Sequence, residues 1–191
     1  MLMLLPLLMA SLSANSTIRS ASPYGPIYST SLVYADASTG AYMTKTKTFV
    51  PNSSYMYLRL CSQNISYYVQ TGHCTQHTPL PGQCQCLKTT SSGACAQWSP
   101  SLSPSTIPPG ATFDRYVTTN GYNSSQFTFY FPPFSSTIDV WTAKLPGTNN
   151  SFVTRTVGAR VQTDYIHVRP GSPPSSTFTV PSICLNTSIA I

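Results

Sequence analysis

The chain of 191 residues has no glutamate and four aspartates, and charged residues make up only 7% of it. With so few carboxylates, no close pair for glycoside hydrolysis is evident. A calcium cage, which usually draws on several carboxylates, has little to use. Asp36, Asp114, Asp139 and Asp164 are well separated, so only the fold could gather two of them. The ten lysines and arginines form no cluster beyond Lys45 and Lys47, which argues against a dedicated nucleic-acid surface. A net charge of +6 leaves a mild attraction to anionic glycans or lipid headgroups. There is no Gly-x-Ser-x-Gly elbow, and His73, His77 and His167 make catalytic triads only on paper. The reading is of a protein that is not an enzyme. Beyond the first 14 residues no stretch is apolar enough to cross a membrane. No segment carries a capped helical stripe either.

Residues 1–14, MLMLLPLLMASLSA, are an apolar run ending in small residues. They read as a signal peptide cleaved near Ala14, with a buried N-terminal strand as the competing reading. Six cysteines behind such a segment imply disulfides and a secreted, extracellular protein. Asn-x-Ser/Thr sites at Asn15, Asn52, Asn64, Asn123, Asn149 and Asn186 then become candidate glycosylation sites on exposed loops.

Period-two alternation of apolar and polar residues marks the strands. In 55–60, Met56, Leu58 and Leu60 alternate with Tyr57 and Arg59. In 65–70, Ile65, Tyr67 and Val69 alternate with Ser66 and Tyr68, after a polar turn at 62–64. Further strands are expected at 32–34, 41–50, 111–118, 126–131, 137–144, 151–162, 165–168 and 177–180. Lys/Thr alternation marks 41–50 as a solvated or edge strand. Residues 15–31 read as a flexible arm and 185–191 as a tail. A single domain spans 32–184, with 81–106 a Cys/Pro/Ser-rich inserted loop. The expected class is all-β, with antiparallel strands in two packed sheets or a curved half-barrel.

The cluster of His73, Cys74, His77, Cys84, Cys86 and Cys95 admits a zinc reading, but its spacing is no standard finger, and oxidation favours disulfides. Cys84 and Cys86 are too close to pair comfortably, so each bonds elsewhere, with Cys61 and Cys95 as candidates. Cys74 directly follows a strand, and Cys184 is the only distant cysteine. A bridge between them would tie the middle of the chain to its end. The other four then admit three connectivities.

Several motifs fall in a distinctive order: Tyr34-Ala35-Asp36, the 55–60 strand, Tyr67-Tyr68-Val69 leading to Cys74, and Pro79-Leu80. Then come IPPGATF at 107–113, Val140-Trp141, the Thr-rich 153–157 strand, and FTVPSIC at 178–184. Over residues 32–184 this order resembles the ependymin-related family of secreted glycoproteins. The resemblance implies two stacked, curved antiparallel sheets similar to bacterial lipoprotein carriers, enclosing a deep apolar pocket thought to hold lipids. It also implies an extracellular, calcium-associated and often homodimeric protein, and it matches Cys74 and Cys184 to family cysteines, which are predicted to be bonded. The chain departs from the family in lacking an N-terminal cysteine and in having Val157-Gly158-Ala159-Arg160-Val161 where a Cys-x-Pro-Val motif usually stands. Cys84, Cys86 and Cys95 lie in what reads as an insertion, and 161–178 is short.

If the sheets enclose a site, its walls are expected to be Met56, Leu58, Leu60, Tyr67 and Val69, facing Phe127, Phe129, Phe131, Ile138 and Val140, with Trp141 on the other side. Period-two alternation alone fits an ordinary packed core equally well. The leading expectation is a secreted glycoprotein binding an apolar ligand, a lipid or fatty acid, without chemistry on it. No cofactor is expected, and calcium enters only through the resemblance. The alternative is a structural or cell-matrix adhesion glycoprotein with a filled core, its partners being extracellular matrix components.

Overall fold

The computed structural model describes residues 12–22, 25–49, 52–79, 84, 86–98, 111–131, 136–144, 147, 151–158 and 161–185. Six strands form a first antiparallel meander: β1 (Leu12–Ser22), β2 (Gly25–Asp36), β3 (Ala41–Phe49), β4 (Asn52–Leu60), β5 (Ile65–Gln70) and β6 (His73–His77). A small hairpin comes next, β7 (Cys86–Thr89) and β8 (Cys95–Trp98). Five more strands form a second meander: β9 (Thr112–Thr119), β10 (Tyr122–Phe131), β11 (Ser136–Lys144), β12 (Ser151–Val157) and β13 (Val161–Pro170). The expected all-β, antiparallel class holds. β1 pairs with β13, so the two meanders are hydrogen-bonded into one open sheet of 11 strands, ordered β6-β5-β4-β3-β2-β1-β13-β12-β11-β10-β9.

Turn chemistry sets several registers. Asn120 and Gly121 both take positive φ, 54° and 81°, the two-residue hairpin conformation that matches strand twist. Asn64, at φ 53°, caps the short 3-10 turn Cys61–Gln63 that occupies the expected polar turn.

Of residues 15–31, expected as a loose arm, 15–22 lie in β1 and 25–31 in β2, near the centre of the sheet. Among the described residues of 14–31 the buried ones are small: Ala14, Ser16, Ser29 and Ser31. Small hydroxylated residues carry no apolar period, so the sequence pattern is silent there. Their cost of burial is offset locally, as where the Ser31 and Thr46 hydroxyls hydrogen-bond at 2.7 Å. The 41–50 strand is likewise not an edge. β3 sits between β2 and β4, with Thr46 buried on one side and Lys45 and Lys47 exposed on the other. Within the expected 81–106 loop lies the β7–β8 hairpin, and 177–180 is not a strand, since Ser175–Phe178 forms a 3-10 turn.

All six cysteines are paired: Cys74–Cys184, as expected, together with Cys61–Cys84 and Cys86–Cys95. The last closes the β7–β8 hairpin across a separation of 9 residues. Three disulfides suit an oxidising compartment.

Two hydrophobic clusters result. One joins Ala14, Val33, Phe129, Val140, Ala143, Phe152, Val153 and Tyr165. The other joins Ala41, Met43, Leu58, Leu60 and Tyr67 to Phe178 and Cys184 of the C-terminal segment. The β9–β10 turn reaches across β12 and β13: Asn120 Nδ2 donates to Thr154 O at 2.7 Å and to Asp164 Oδ1 at 3.0 Å. Arg155 and Gln162 also donate to the Asp164 carboxylate.

That network makes stability depend on acid. Burial pushes the Asp164 carboxyl up, but hydrogen bonds from Arg155, Gln162 and Asn120 and the Arg155 charge outweigh it and hold the group below its ordinary 3.8. A depressed folded-state value contributes stability that is present above the unfolded-state value and lost as pH falls through the folded one. Urea midpoints should therefore fall below about pH 4, and in Asp164→Asn this part of the acid dependence should vanish. An unchanged acid limb in that variant would show that the network contributes nothing.

At the alkaline side, burial pushes the Tyr165 hydroxyl up to about 12 and the Tyr42 hydroxyl higher still, with Tyr165 adding to the latter. Tyr42 lies beneath the buried Arg59 guanidinium, 5.1 Å from the ring centroid. Both hydroxyls stay neutral in the fold while unfolded tyrosine ionises near 10.0. Their contribution is complete below that value and is lost as pH rises through the folded values. A urea midpoint that declines from about pH 10 upward, and less steeply in Tyr165→Phe, is the expected result.

Candidate functional site

The sequence-predicted site residues fall into two groups on opposite faces of the sheet. Met56, Leu58, Leu60, Tyr67 and Val69 share one face, because Met56 pairs with Val69 and Leu58 with Tyr67. The same parity runs from Met56 through Lys45, Leu32, Asn15, Ile166 and Asp164 to Arg155, Trp141 and Gln126. Phe127, Phe129, Ile138 and Val140 alternate with Gln126 and Trp141 and so lie on the other face. Trp141 is opposite to Val140, as expected. The expected convergence of these residues on one interior does not occur. Alternation tells which residues of one strand share a face, whereas parity between distant strands depends on every register in between. The Phe131 side chain lies outside the described residues.

Phe127, Phe129 and Val140 are buried, and Phe129, Val140 and the half-buried Ile138 belong to the first cluster. Phe127 meets the Phe113 ring edge-on at 5.7 Å. This is the filled-core half of the expectation. Leu58, Leu60 and Tyr67 are also filled core, covered by Phe178 and Val180. The Cys74–Cys184 bridge fastens that C-terminal segment to β6.

Met56 and Val69 differ. They are half-buried, pack against the second cluster, and also line a groove of about 650 Å³. Its floor is a cross-strand row, Ile166–Asn15–Leu32–Lys45–Met56–Val69, running from β13 to β5. Five interstrand steps make the row about 24 Å long. A second cross-strand row, two residues further along the strands, is polar: Thr17, Thr30, Lys47 and Ser54, with Thr71 at its end. The groove is thus graded along the strand direction, from the covered apolar cluster to a hydroxyl- and lysine-bearing margin. Leu32 is 44% exposed in it, an apolar side chain open to the groove.

The sequence reading missed Leu32, Ile166 and the role of the two lysines. Lys45 and Lys47 were visible as a pair, and their alternation with Thr44 and Thr46 signalled an open face. What the sequence does not carry is that this face belongs to an interior strand flanked by apolar neighbours.

The four carboxylates are engaged elsewhere. Asp36 accepts from Ser38 and Thr39, Asp114 faces Arg115 at 3.5 Å, Asp139 accepts from Thr128, and Asp164 holds Arg155. Among the described residues no three His, Cys, Asp or Glu gather as metal ligands. Of the sequons, Asn52, Asn64 and Asn123 are exposed, whereas Asn15 is half-buried in β1 with Nδ2 3.5 Å from His167 Nδ1. Asn149 and Asn186 lie outside the described residues. The chain matches no known family model and no curated protein.

Proposed function

We propose that this chain is a secreted glycoprotein, of ependymin-related type, that binds an apolar ligand of lipid character in the graded groove and does no chemistry on it. The observation that carries the reading is the half-buried Met56 and Val69, shared between a covered core and an open groove in line with exposed Leu32. Burial of such surface would supply the affinity. The three disulfides support an oxidising, extracellular setting. With each of the four aspartates already in an internal contact, calcium association would be carried by attached glycans.

Native mass spectrometry of protein from a secretory host tests the reading. Co-purifying lipid, displaced by a fluorescent fatty acid, is the expected result. A clean apo mass with no fatty-acid uptake would overturn it and favour a matrix-adhesion protein.

In the same material the first residue should be Asn15 or a close neighbour. Removal after Ala14 takes Leu12–Ala14 from the start of β1, and with them the Ala14 contact in the first cluster, and leaves β1 paired on both sides from Asn15 onward. Glycan is expected at exposed Asn52, Asn64 and Asn123 and absent from Asn15, whose position within a central strand hinders access. Peptide mapping that starts at Met1, or finds Asn15 fully occupied, would contradict this.

A further inference from the structure

We infer that Lys45 and Lys47 form a headgroup clamp, so that the groove takes a long-chain carboxylate, a single-chain anionic amphiphile, in preference to neutral lipids. The inference rests on the proposed ligand groove and names its ligand class. Both lysines are exposed on the groove face of β3, an interior strand. They stand two residues apart on one face, which separates their Cα atoms by about 7 Å. A carboxylate between the two long stems can meet both ammonium groups.

Charge complementarity points one way. The chain has no glutamate, its four aspartates contact other groups, and among the described residues no carboxylate is paired with either lysine. Lys47 lies 5.9 Å from the Phe49 ring centroid, a contact that orients the ammonium without neutralising it. Lys45 stands directly between Leu32 and Met56 in the cross-strand row. From there its aliphatic stem can extend the apolar floor and its head can reach the polar margin two residues along the strand. The Thr30 and Ser54 hydroxyls, opposite Lys47 on either side, add donors at the same margin.

The apolar part fits one chain. Half of a bilayer's ~30 Å hydrocarbon core, about 15 Å, is the reach of a single acyl chain. With the carboxylate at Lys45 and Lys47, the first ~10 Å of that chain, two interstrand steps, would lie over Met56 and Val69, and its end would pass beyond the row at the margin of the covered cluster.

The test compares palmitate with palmityl alcohol, which has the same chain and no charge, on the parent and on a Lys45→Gln/Lys47→Gln variant. The parent should bind palmitate about tenfold more tightly than the alcohol, the scale of two partly exposed ion pairs. The gap should narrow in high salt. In the variant, the ratio of palmitate to alcohol affinity should fall from about ten to about one, because the loss of stem surface is shared by both ligands and the loss of charge is felt by palmitate alone. Equal affinity of the parent for acid and alcohol would overturn the clamp and leave the groove standing, as would an unchanged palmitate affinity in the variant. If neither ligand binds the parent, the groove reading fails and the clamp with it.

Discussion

Replacing both Cys74 and Cys184 with serine should lower the unfolding free energy by about 4–5 kcal/mol, the chain-entropy value for a loop of this size. The bridge closes a separation of 110 residues, the longest of the three, so it removes the most freedom from the unfolded chain. It also holds down a segment with no strand of its own. Phe178 and Val180 reach the second cluster from 3-10 and irregular backbone, without ladder hydrogen bonds to hold them there. Freed from β6, that segment would expose Met43 and Leu58 as well. The Cys86–Cys95 bridge offers an internal comparison: it closes 9 residues in a hairpin outside the main sheet. Its removal should cost roughly 2–3 kcal/mol in the same model. Urea unfolding of the two double variants measures the difference. A smaller loss for Cys74/Cys184 than for Cys86/Cys95 would show that the C-terminal segment is held by packing alone.

Phe152→Ala should cost about 3–5 kcal/mol, the range for emptying a core aromatic site. Phe152 is 1% exposed, and the Tyr122 ring meets it edge-on at 4.9 Å. Tyr122 in turn accepts a hydrogen bond from the Val168 backbone N–H through its hydroxyl, three strands away in the sheet. Loss of the Phe152 ring therefore leaves a cavity and loosens a tie that curves the sheet. Met56→Ala is the informative contrast. Met56 is half-buried at the groove, so its truncation removes surface that already borders open space. Its stability loss should be well below that of Phe152→Ala, while fatty-acid affinity falls. Thermal unfolding and a fluorescent fatty-acid titration on both variants check the pair. A Met56→Ala protein as destabilised as Phe152→Ala, with ligand affinity untouched, would return the groove residues to ordinary core.

Much of the architecture was legible because its determinants are local. Alternation at Met56-Tyr57-Leu58-Arg59-Leu60 and at Phe127-Thr128-Phe129 specifies a strand and the sharing of one face within it, since successive side chains point to opposite sides. Punctuation by Pro, Gly and Asn marks where strands stop. The Cys74–Cys184 bridge was legible from position, since Cys74 follows a strand and Cys184 is the only distant cysteine.

The pairing of the other four cysteines was not legible. Cys61–Cys84 and Cys86–Cys95 were one of three open arrangements, and the choice depends on where the β7–β8 hairpin forms. The strands at 12–22 and 25–31 were invisible because Ser and Ala at the buried positions have no hydrophobic period. They fit the centre of the sheet because small side chains suit close packing, and partners such as Thr46 satisfy their hydroxyls.

By itself, then, the sequence determined an all-β antiparallel chain, most strand positions, and the face each apolar residue shares with its own strand. The tertiary structure alone decided that Met56 and Phe129 lie on opposite faces and that Lys45 lies between Leu32 and Met56. The reason is physical. Side-chain parity between strands separated by five or six others is the sum of all the registers and bulges between them. Each register is set by pairing with a neighbour, and no single segment encodes the total.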